Sequence, residues 1–198
     1  MRTSEPELRS FDPVVVGNRE ADAWVAYYRH EWRNFLAASV GLVRAAFGMT
    51  PRRTLEGAWY VLRANQLWAP YPDNQSDGAQ AYMRRVYELA VQHNGLSLDP
   101  AKAARLEVEW WRIHRAHRHD AAVTVSQLEA ALVELYSYAY GAEPEAVRQA
   151  ARKRVEAMDL SDRWVGTGCH RDDPLLAAVR RALVASYAAL RDAVERVR

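Results

Sequence analysis

From about residue 19 to its end, the chain carries apolar side chains at the three- and four-residue spacing of helix faces, broken only by short runs of Gly, Pro, Asn and Asp. Strand-like alternation is absent, apart from a Val14-Val15-Val16 run near the start. Such a chain buries its apolar surface by packing helix on helix. The expected fold is therefore all-α: a single-domain multi-helix bundle of about seven helices over residues 19–198, preceded by a short extended arm over 1–18.

The punctuation places the helices. Asn18 suits the cap of a first helix running to Gly48, and Met49-Thr50-Pro51 leads into a second that ends near Pro70. A third spans Ser76 to His93 and stops at Asn94-Gly95. Asp99 and Pro100 open a fourth, which reaches His119. A fifth runs from Ser126 to Tyr140, and Pro144 and Pro174 begin the sixth and seventh. Connections this short make consecutive helices antiparallel neighbours. The distinctive loop is Trp68-Ala-Pro-Tyr-Pro-Asp-Asn-Gln75, stiffened by two prolines.

At 198 residues the chain is long enough for a hydrophobic core without disulfide or metal staples. A formal net charge of +2, with basic and acidic residues interleaved along helices, argues against nucleic acid as a partner. The single cysteine, Cys169, makes no internal disulfide or zinc spacing and fits a reducing compartment. No apolar leader or membrane-length run is seen, so the expectation is a cytoplasmic protein with no membrane partner. Seven Trp and ten Tyr against three Phe is the unusual entry in the composition, since these aromatics join an apolar body to a polar handle.

Function is sought where polar groups fall inside apolar helix stripes. The fifth helix, with Leu128, Leu132, Leu135 and Ala139, and the seventh, with Leu176, Val179, Leu183, Tyr187, Leu190 and Val194, are clean and read as scaffold. The second is apolar around most of its circumference, which suggests a central helix, with Gln66 on a stripe with Leu55, Trp59 and Leu62. The fourth sets Leu106, Trp110 and Ile113 around His117, with Glu107 and His114 together on one edge beside Trp111. The sixth places Arg154 among Val147, Val155 and Met158, with Asp162 on the same face, and the first puts Arg29 and Glu31 at the margins of a Trp24–Tyr28–Phe35 stripe. Arg154 is expected to pair with Asp162 or Glu31.

Inward polar groups on four helices predict a polar-aromatic internal pocket for a small molecule, lined by Tyr28, Trp59, Gln66, Trp110, His114, His117, Arg154 and Asp162. His117 and Glu31 are the candidate catalytic groups, with no cofactor required. An alternative is a non-haem iron or manganese oxidase with Glu31, Glu107, His114 and His117 as ligands. Its spacing is poor, because Glu107 lies about 10 Å along the helix from His114, and the Glu-x-x-His pattern of ferritin-like centres is missing. The third alternative is a non-catalytic interaction protein or homodimer. No Walker loop, G-x-S-x-G, G-x-G-x-x-G or HExxH occurs.

Overall fold

A computed structural model describes residues 11–196. Among the described residues eight helices follow one another: α1 (Pro13–Tyr28), α2 (Trp32–Phe47), α3 (Pro51–Trp68), α4 (Ser76–Asn94), α5 (Pro100–His119), α6 (Val125–Tyr140), α7 (Pro144–Gly166) and α8 (Pro174–Glu195). No strand occurs among the described residues. The all-α expectation holds, with one more helix than expected.

The extra helix comes from a break at Arg29-His30-Glu31, inside what reads as one long first helix. The Glu31 amide bonds the Ala26 carbonyl at 2.8 Å and the His30 amide bonds the Tyr27 carbonyl at 3.0 Å. That is the double bond of a Schellman stop, and His30 takes the left-handed position at φ 55° where glycine is usual. With a histidine at the stop and no proline near it, the turn has no sequence signature. Folding back lets Ala23 and Ala26 of α1 pack on Phe35 and Ala38 of α2.

The start of α1 also differs from expectation. Asp12, not Asn18, is the cap, its Oδ1 accepting from the Val14 amide at 2.8 Å, and Pro13 occupies the first turn. Val14, Val15 and Val16 are therefore helical: cap and proline outweigh their strand preference. Of the expected extended arm, residues 13–18 belong to α1, and residues 1–10 lie outside the described residues.

Each helix packs chiefly on its predecessor and its successor, and α8 packs on α1. With connections of three to seven residues, this makes an up-and-down ring closed by its first and last helices. Closure needs a close approach at Gly17, where an added Cβ would lie 2.8 Å from the Val184 backbone nitrogen. The carboxyl ends of α1, α3, α5 and α7 gather at one end of the ring. In this arrangement α3 is one wall rather than the centre, and its Leu55 and Trp59 are 59% and 50% exposed. No helix among the described residues is long and apolar enough to cross a membrane.

Candidate functional site: a buried polar cluster inside the helix ring

A ring of eight helices cannot bring every side chain to its axis, and a cavity of about 240 Å³ remains there, with lining residues from all eight. Most of the wall is apolar, but two acidic side chains and one basic side chain reach it: Glu20 from α1, Glu107 from α5 and Arg154 from α7.

Glu20 and Arg154 form a two-point ion pair. Arg154 Nη1 donates to Glu20 Oε2 at 2.8 Å and Nη2 donates to Oε1, while the Tyr187 hydroxyl donates to Oε2 at 2.8 Å. The guanidinium also lies 5.7 Å from the centre of the Trp24 ring and 5.1 Å from that of Trp110, within reach of both π-faces. Burial works against the Arg154 charge, but Glu20 and the Tyr136 and Tyr187 hydroxyls outweigh it and hold the group charged.

Glu107 has no cationic partner in contact among the described residues. Its Oε2 accepts from the Tyr87 hydroxyl at 2.9 Å, and its Oε1 accepts from the indole N–H groups of Trp110 at 3.1 Å and Trp111 at 3.3 Å. The two indoles lie three and four residues along α5, so one helix supplies both the acid and its donors. Burial raises the Glu107 carboxyl above the usual carboxylate range; the Arg154 charge and the donors from Tyr87 and Trp110 offset this only in part. Burial likewise raises the hydroxyls of Tyr87, Tyr136, Tyr140 and Tyr187, which stay protonated.

Three polar atoms on this wall have no hydrogen-bond partner among the described residues: Ser39 Oγ, from a fully buried residue, the Tyr136 hydroxyl and Arg154 Nε.

Of the expected pocket residues, Trp110 and Arg154 line the central cavity. Tyr28 and His114 line a smaller adjoining hollow, and Asp162 sits under it, Oδ2 2.9 Å from His114 Nε2. Arg154 thus pairs with Glu20, not with Asp162 or Glu31. Three others lie elsewhere. Trp59 is on the outer face of α3, and Gln66 is half-buried with Oε1 accepting from Arg63 on its own helix at 2.7 Å. His117 Nδ1 faces the Val123 carbonyl, because the 120–124 connection turns back over the end of α5.

The candidate ligands are also dispersed. Glu31 makes a surface cluster with Arg29, Asn34 and Arg171, whose hydrogen bonds and charges lower its carboxyl. Glu107 is at the ring centre, His114 is on Asp162 and His117 is on the backbone. No three His, Cys, Asp or Glu residues among those described are grouped to hold a metal ion.

The helices read as scaffold contribute Tyr136, Tyr140 and Tyr187 to the cavity. Glu20 escapes notice because in a helix started at Asn18 it falls in the first turn, at the end of the Trp24 stripe, where an acid is ordinary; started at Asp12, it lies inside the stripe, four residues from both Val16 and Trp24. No protein family, curated protein or solved structure matches the chain.

Proposed function

We propose that the chain binds a small, largely apolar molecule at the centre of its helix ring, oriented by contacts to the Glu107 and Arg154 clusters. The observation that carries this reading is the cavity of about 240 Å³ whose wall holds a buried Ser39 hydroxyl and an Arg154 Nε without partners. A buried donor left unpaired costs about 1–3 kcal/mol, and native proteins keep such groups chiefly where water or a ligand meets them. The space exceeds the engineered cavities of about 150 Å³ that take up benzene, so a bicyclic or eight-carbon ligand is in range.

The test uses the neutral probe octanamide, followed by fluorescence of the wall indoles. Saturable binding is expected, and Ser39→Leu, which fills the cavity from α2, should abolish it while leaving the helix content intact. Lack of saturation in the unmodified chain would sink the reading, and so would binding that survives Ser39→Leu.

The raised Glu107 carboxyl favours a second reading, cofactor-free proton transfer. An acid in apolar, aromatic surroundings is tuned toward neutral pH, where it serves as a general acid or base. Deuterium uptake from D₂O at the carbons beside the carbonyl of 2-octanone is then accelerated by the protein and falls to background in Glu107→Gln. Equal rates in both proteins would end it.

A further inference from the structure

The central cavity continues past its indole wall into a hollow of about 100 Å³ that shares Trp24, Phe35, Asn65, Trp110 and Trp111 with it. This hollow lies toward the end of the ring where α1, α3 and α5 finish, and there its lining changes character to Tyr28, His114, Arg115 and Arg118. No carboxylate lines it.

Asp162, beneath the hollow, is occupied. Asp162 meets His114 Nε2 through Oδ2 at 2.9 Å and Arg118 Nε through Oδ1 at 3.2 Å. In the neighbouring connections, Asp120 accepts from the Ala122 amide, and Asp173 accepts from the Leu175 amide and the Thr167 hydroxyl. Arg118, paired through Nε, lies 5.7 Å from the Tyr28 ring centre.

Arg115 pairs with no carboxylate among the described residues. Its Nη1 donates to the carbonyls of Trp68 at 2.7 Å and Pro70 at 3.3 Å, its Nη2 donates to the Tyr27 hydroxyl at 3.1 Å, and the guanidinium sits 4.4 Å over the Trp68 ring. Two fixed cations thus line the hollow with the Asp162 carboxylate beneath them, beside a cavity in which Arg154 is matched by Glu20 and Glu107 adds a second acid.

We infer that the ligand of the central cavity is an amphipathic carboxylate, its head group seated on Arg115 and Arg118 and its apolar tail passing the Trp24, Trp110 and Trp111 rings into the ring centre. This rests on reading the central cavity as a ligand site. The orientation follows from charge: a carboxylate is drawn to the guanidiniums of Arg115 and Arg118, whose planar fork matches it, whereas deeper in the Arg154 charge is already matched by Glu20 and Glu107 adds a further acid. The indoles between the two compartments are the surface over which an aliphatic or aryl tail passes.

Three probes of one length test this on the full chain: octanoate, octanamide and octylammonium, each followed by tryptophan fluorescence. Octanoate is expected to bind about tenfold more tightly than octanamide, with octylammonium weakest, as one charge-assisted contact implies. Added salt should erode the advantage of octanoate. Arg118→Gln should remove about tenfold of octanoate affinity and lower that of octanamide by much less; the three-probe comparison on the unmodified chain stands even if that variant fails to fold. Octanamide binding as tightly as octanoate would overturn the head-group assignment and leave the cavity reading intact. Failure of all three probes would overturn both.

Discussion

Two acids line one cavity with different partners. Glu20 is matched by Arg154, so Arg154→Met leaves a buried carboxylate unpaired and should cost about 3–5 kcal/mol in denaturant unfolding. The double variant Glu20→Gln/Arg154→Met should recover most of that loss; a double variant as unstable as the single would mean that Arg154 acts by packing against Trp24 and Trp110 alone. Glu107 is stabilised by neutral donors, and burial raises its carboxyl above the value near 4.5 of an ordinary glutamate. The folded chain therefore holds a proton on Glu107 where the unfolded chain has released it. The Glu107 contribution is most favourable below about pH 4.5 and is lost as pH rises through the raised folded value. Relative to Glu107→Gln, the unmodified chain should lose stability across that window; parallel pH curves for the two proteins would refute this. Arg154 is legible in the sequence because it stands on a long, otherwise apolar face. Glu20 is hidden by a misplaced helix start, and Gln66 and His117 are over-read because a stripe angle does not say whether a neighbouring helix covers that face.

At the scale of elements, glycine and proline mark nearly every boundary. Gly95 and Gly141 stop α4 and α6, and prolines open α3, α5, α7 and α8. Neither marks the α5–α6 connection or the break between α1 and α2, where His30 carries a conformation that costs a side chain about 1 kcal/mol. His30→Gly should leave the hairpin unchanged and raise stability by up to about 1 kcal/mol, with part of the gain lost to the freer unfolded chain. A fall in thermal midpoint would show that the ring contact of His30 with Trp32, at 5.8 Å, is worth more than the strain. Gly17 is the opposite case: Gly17→Val forces α1 off the α8 backbone and should cost about 1–3 kcal/mol in chemical denaturation. The antiparallel neighbours were readable from short connections. An internal pocket was expected from the inward polar groups, but most of the lining of the central cavity was not, because it depends on α8 reaching α1 and no local pattern encodes contact between the first and last helices.

On the scale of the whole molecule, eight helices in a closed circuit divide the interior into an apolar chamber and a cationic hollow at one end. A bundle of fewer helices would fill its axis with side chains. Closure also has a consequence for chain order. The contact between α1 and α8 joins the described segments farthest apart in sequence, so it carries a large loop-closure cost during folding. Yet the ring itself has no first member: the start of α1 and the end of α8 lie at the same end of it. A circular permutant that begins at Asp99, with α8 linked directly to α1, keeps every helix pair except α4 with α5 in chain order. Topologically the seam is movable.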